Sequence, residues 1–86
     1  MSKVLFTRQS IKEIDRISST DRKRVLTKIK LLDYPFSKNL DIKLLHGAPG
    51  FYRLRSGQIR IIFEHDHKRN VLWIRKVGYR GSVYKM

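Results

Sequence analysis

Cysteine is absent from all 86 residues, which excludes a disulfide framework, a thiolate zinc site and a cysteine nucleophile together. A reducing compartment suits such a chain. Acidic residues are scarce: 7 Asp and Glu stand against 20 Lys and Arg, for a formal net charge of +13. An excess of that size opposes compaction through self-repulsion and marks a chain that meets a polyanion, either nucleic acid or an acidic partner. Long apolar runs are missing as well. Nowhere do roughly 18 apolar residues follow one another, and the N-terminal MSKVLFTRQ has no signal-peptide core. The expectation is a soluble cytoplasmic protein with no membrane partner. The length allows one domain, residues 1–86, with one modest core.

Residues 3–7, KVLFT, read as a short strand, and Thr7 or Ser10 can cap a following helix because the side-chain oxygen accepts from free backbone N–H groups. Ile11, Ile14 and Ile17 recur every three residues, which places a helix over roughly 9–18. The SST at 18–20 interrupts it, and Ser19 or Thr20 with Asp21 starts a second helix. Val25, Leu26, Ile29 and Leu32 form its apolar stripe, and Pro35 closes it. Residues 36–50 show no sustained period and read as a connection. Thereafter the period changes to two, and YRLRS, QIRIIFEH and NVLWIRKVG alternate as strands. The fold class expected is α+β, in the order β-α-α-β-β-β. A two-helix hairpin packs on one face of a small, mostly antiparallel four-stranded sheet.

The segment FYRLRSGQIRIIF, residues 51–63, sets Arg53, Arg55 and Arg60 among apolar strand positions. A turn at Ser56-Gly57 pairs Arg53 with Arg60 and Arg55 with Gln58. Phe51, Arg53, Arg55, Arg60, Ile62 and Glu64 then share one face, and Tyr52, Leu54, Ile59, Ile61 and Phe63 share the other, which is the floor for the helices. A next turn centred in DHKR sets Arg60 opposite Arg75 and Ile62 opposite Trp73. Opposed like charges destabilise a sheet, so the arginine face calls for an anion. Phosphodiester oxygens match the planar guanidinium fork better than they match lysine.

The last 36 residues, and VGYRGSVY at 77–84 above all, resemble the RelE toxins of the RelE/ParE superfamily. The resemblance extends over essentially the whole chain. It implies the toxin half of a toxin–antitoxin module, with an antitoxin protein, the ribosome and mRNA as partners, no cofactor and no metal. The typical activity is endonucleolytic cleavage of mRNA in the ribosomal A site. By position, Arg53 and Arg55 match the family's basic pair, Arg60 its phosphate-binding arginine, Arg80 the arginine after V-G-x, and Tyr84 the terminal tyrosine. These five are the expected catalytic residues. RNA contacts are expected from Arg53, Arg55, Arg75, Lys76 and Lys85. Two features depart from the pattern: the basic pair is arginine where the best-known members have lysine, and the sequence reaches Met86 without the C-terminal helix that some members carry.

RNA supplies its own nucleophile, the 2′-hydroxyl, so the protein must align it, stabilise charge on phosphorus and move two protons. Guanidinium groups suit the charge and not the proton transfer, because they stay protonated. The conventional bases nearby in sequence are Glu64, His65, Asp66 and His67; the HDH triplet is expected in a turn away from the arginines, and His46 in a loop. Tyr84 is left as the proton-relaying or base-stacking group. Two other function classes fit the same residues: a ParE-like DNA gyrase inhibitor without nuclease activity, and a non-catalytic nucleic-acid-binding module that uses charge alone.

Overall fold

The computed structural model describes residues 2–79. Its elements run β1 (Lys3–Phe6), α1 (Arg8–Arg16), α2 (Ser19–Lys30), β2 (Asp41–Leu44), β3 (Phe51–Ser56), β4 (Ile59–Asp66) and β5 (Val71–Tyr79). The fold class is the expected α+β. The sheet, however, has five strands in the order β1-β5-β4-β3-β2. The added strand, β2, lies inside the segment that the sequence presents as a connection. It is four residues long and pairs on one side only, with β3. Such an edge strand carries too few alternating positions to stand out from a loop. All pairings are antiparallel except that of β1 with β5.

Local chemistry sets the helices. Thr7 caps α1 by accepting from the Ser10 backbone N–H at 3.1 Å, and Ser18 caps α2 by accepting from that of Asp21 at 3.2 Å. Ile14 and Ile17 point inward, whereas Ile11 is 51% exposed. A spacing of three falls about 60° short of a full turn at each step, so three isoleucines cannot all face the core. Buried Ser10 occupies the inward position instead, its hydroxyl donating to the Thr7 carbonyl at 2.8 Å. In α2, Val25 and Ile29 are buried, with Leu26 packed beside them. That helix ends at Lys30, before Pro35, with Leu31 as its C-cap. Arg22 joins the hairpin by donating to the Ile14, Asp15 and Ile17 carbonyls at the end of α1.

The core lies between this hairpin and the sheet. Leu54, Ile59, Ile61, Phe63, Leu72, Ile74 and Val77 meet Ile14, Ile17, Val25 and Ile29 across it. α1 packs along β5 and α2 reaches β3. Where β1 ends, Glu13 of α1 accepts from the Val77 backbone N–H at 2.8 Å, so a side chain completes the edge of β5. Among the described residues, no helix is long and apolar enough to cross a membrane.

Candidate nucleic-acid interface on the open sheet face

The turn joining β3 to β4 is Gly57-Gln58, with Ser56 opposite Ile59, and not Ser56-Gly57. Gly57 takes φ 61° at the first central position, where the mirror-image hairpin turn needs a positive angle. Consequently Arg55 pairs with Arg60 instead of Gln58, and Arg53 pairs with Ile62 instead of Arg60. The turn moves by one residue, which shifts each partner by two. Face assignment depends on parity, so both expected faces survive the correction.

Between β4 and β5 the register shifts at Ile62/Phe63. Arg60 lies opposite Gly78, Ile62 opposite Lys76 and Glu64 opposite Trp73, which leaves Arg75 as the extra residue of a bulge and replaces the expected Arg60–Arg75 and Ile62–Trp73 pairs. A bulge re-aims its side chain. Arg75 donates through Nε and Nη2 to Glu64 Oε1, at 3.1 and 2.6 Å, and its guanidinium carbon sits 6.0 Å from the Phe51 ring centre. Lys76 stays on the open face beside Ile62.

The open face is therefore built in rows that cross the strands. One row runs Asp41, Arg55, Arg60, Gly78; the next runs Lys43, Arg53, Ile62, Lys76. Ile62 is fully buried although, among the described residues, no helix covers it. The long aliphatic stems of Arg53 and Lys76 flank it in the register, which is how such side chains shelter an apolar neighbour while their charged ends stay outward. Arg53 is held by Asp41, Nη2 to Oδ1 at 2.8 Å, with only 14% of its side chain exposed. Its Nε is buried and has no hydrogen-bond partner among the described residues.

Arg55 and Arg60 are placed differently. Their Cα atoms pair directly, and both guanidinium groups turn to the same acceptor, the Gly57 carbonyl, Arg55 Nε at 3.3 Å and Arg60 Nη1 at 3.1 Å. Arg60 is 6% exposed. Among the described residues neither makes an ion pair with a carboxylate, in contrast to Arg53 and Arg75. A recess of about 260 Å³, lined by Arg55, Gly57, Gln58 and Arg60, opens at this point. Two positive charges sharing one neutral oxygen form a site that gains most from an incoming anion.

The structure thus brings Arg53, Arg55, Arg60 and Lys76 to one face, while Arg75 turns to Glu64. Arg80, Tyr84 and Lys85 lie outside the described residues. The HDH triplet is not a free turn. His65 and Asp66 belong to β4, and the His65 N–H donates to the Gly50 carbonyl at 2.8 Å. The His65 ring is buried on the helix side, 3.8 Å from the His67 ring and 4.5 Å from that of Tyr34 between centres. Burial holds its pKa below the usual imidazole value, with the His67 ring acting in the same direction and Asp66 opposing. His46 is in an exposed loop, as expected. Sequence reasoning missed Asp41, whose only signal was the alternation of DIKL at 41–44 within a segment rich in turn residues.

Fold and face together define a class: a small basic α+β domain with one sheet face under a helical hairpin and the other open and lined with guanidinium groups. No family model matches the chain. Toxin RelE3 of Methanocaldococcus jannaschii is 33% identical over 85 residues, covering 95% of this chain and 94% of that protein. The crystal structure of the archaeal RelE–RelB complex from Pyrococcus horikoshii matches with a TM-score of 0.78 at 27% identity, over 95% of this chain and 98% of the other. The RelB–RelE antitoxin–toxin complex from Methanococcus jannaschii matches with a TM-score of 0.79 at 28% identity, over 93% and 94%. The chain belongs to the RelE family of toxins in the RelE/ParE superfamily, the toxin halves of type II toxin–antitoxin modules.

Proposed function

We propose that this toxin is a ribosome-dependent endoribonuclease that cleaves mRNA in the A site without a metal ion, by attack of the RNA 2′-hydroxyl. The observation that carries the reading is the Arg55–Arg60 pair, opposed across β3 and β4 and sharing the Gly57 carbonyl with no carboxylate partner among the described residues. Such a pair is preorganised for a phosphate whose charge grows in the transition state. Arg60 and Arg80 hold the scissile phosphate in this reading, Arg53 and Arg55 position the backbone with Lys76 and Lys85, and Tyr84 orients the nucleotide or relays a proton. The held position of Arg75 makes it a weaker RNA contact than its charge implies.

The test is single-turnover cleavage on programmed ribosomes, with transcript ends mapped by primer extension. Wild-type protein is expected to cut within the A-site codon, and Arg80→Ala to lose activity while still binding ribosomes. Tyr84→Phe keeps stacking and removes the hydroxyl, which separates the two roles of Tyr84. Intact transcripts accompanied by DNA damage would replace this reading with gyrase inhibition.

The partner in this reading is an antitoxin with an acidic or amphipathic segment that neutralises part of the +13 charge. Support comes from the two archaeal relatives above, both solved as complexes of RelE with RelB. Co-expression with the neighbouring gene product is expected to relieve growth inhibition.

A further inference from the structure

Cleavage through the 2′-hydroxyl needs a proton acceptor, and guanidinium groups do not provide one. Three carboxylates stand on the open sheet face within β2 and β4: Asp41, Glu64 and Asp66. Glu64 is engaged by two nitrogens of Arg75 and lies four residues along β4 from Arg60, roughly 13 Å away. Asp66 lies farther along the same strand and faces Arg69. His65 and His67 pack against Tyr34 rather than beside the arginines. Asp41 alone of the three shares the row of Arg55 and Arg60, because β2 pairs it directly with Arg55. One of its oxygens, Oδ1, is fixed by Arg53 Nη2 at 2.8 Å. Its side chain is 46% exposed, so RNA can reach the other oxygen.

We propose that Asp41 is the general base of this toxin, a catalytic residue that takes the proton of the attacking 2′-hydroxyl; the inference rests on the nuclease reading above. With the scissile phosphate on Arg60 and the RNA backbone positioned by Arg55, the 2′-oxygen forms its bond to phosphorus as its proton passes to the Asp41 carboxylate. The bond from phosphorus to the 5′-oxygen breaks, its electron pair leaves with that oxygen, and solvent supplies the proton that completes the 5′-hydroxyl. The other product is a 2′,3′-cyclic phosphate.

The experiment measures single-turnover cleavage on programmed ribosomes as a function of pH for wild type, Asp41→Asn, Asp41→Glu and Arg53→Met, together with ribosome affinity and thermal melts. Asp41→Asn is expected to lose about 10²–10⁴ in rate with affinity and melting nearly unchanged. Its residual rate should rise about tenfold per pH unit, as hydroxide replaces the missing base, while the wild-type profile is flatter. Asp41→Glu should recover part of the loss. Wild-type cleavage with Asp41→Asn within about threefold of it overturns the inference and leaves the nuclease reading standing. Equal losses in Asp41→Asn and Arg53→Met, with profiles parallel to wild type, overturn it in favour of Asp41 merely positioning Arg53. Absence of cleavage by wild type overturns both readings.

Discussion

The helix-facing side of the β3–β4 hairpin carries Leu54, Ile59, Ile61 and Phe63, none more than 1% exposed, whereas the other side sets Phe51, Arg53, Arg55, Arg60 and Glu64 around one buried aliphatic, Ile62. The first side is stabilised by removing apolar surface from water and asks little of its neighbours beyond shape. The second side concentrates like charge and is held by two devices. Arg53 and Arg75 are matched by Asp41 and Glu64. Among the described residues, Arg55 and Arg60 receive only backbone oxygen, chiefly the Gly57 carbonyl. The difference separates two kinds of residue on one hairpin: those that hold the fold together, and those whose full stabilisation awaits an anion.

The sharpest way to break this division is to cross it. Phe63→Ala, on the helix side, should lower unfolding free energy by about 3–5 kcal/mol, because it removes a fully buried ring at the centre of the core; urea denaturation measures it. Arg60→Ala, on the open side, should reduce single-turnover cleavage by about 10²–10³, equivalent to roughly 2.7–4 kcal/mol of transition-state stabilisation. Its urea midpoint should fall less than that of Phe63→Ala. A comparable stability loss with unchanged cleavage would erase the distinction.

A smaller effect tests the two devices within the open face. Arg55→Ala should reduce the slope of log affinity against log salt for single-stranded RNA by about 0.7, the loss of one phosphate contact. Arg75→Ala should change that slope by less than half as much, since Glu64 already engages its guanidinium. Equal slope changes would show that the carboxylate partners do not divide the arginines.

The smallest effect lies where the helix-side face ends, at buried His65. Its pKa is lowered in the folded state, first by burial and then by His67, against the opposing influence of Asp66. Below about pH 6.5 the unfolded chain binds a proton that folded His65 resists, so stability should decline as pH falls through that window and level off under the folded pKa. Melting temperatures of wild type and His65→Gln between pH 7.5 and 5 check this, the variant having the flatter profile; identical slopes would remove His65 from the account.

Pattern alone determines the α+β class, the two helices, the three longer strands and the division of the hairpin into an apolar and an arginine face. Periods of 3.6 and 2 are properties of local backbone geometry, and the helix cap at Thr7 needs nothing beyond its own first turn, whereas the second cap is Ser18 rather than the expected Ser19 or Thr20. The face assignment even survived a misplaced turn, because moving a hairpin turn by one residue preserves parity. Ile11 shows the limit of that legibility: a repeat of three looks helical yet leaves one isoleucine 51% exposed.

Tertiary structure decided the rest. Strand β2 exists because β3 offers it an unpaired edge, and the alternation of four residues is too short to announce that. The pairing of Arg60 with Arg55 and Gly78, the bulge that sends Arg75 to Glu64, and the arrival of Asp41 beside Arg55 all depend on register between strands. Register is set by turns, bulges and the packing of one face on the helices, which couple residues far apart in the chain. The residue types on the arginine face were therefore legible from sequence, but their neighbours, and with them the chemistry available at each guanidinium, were not.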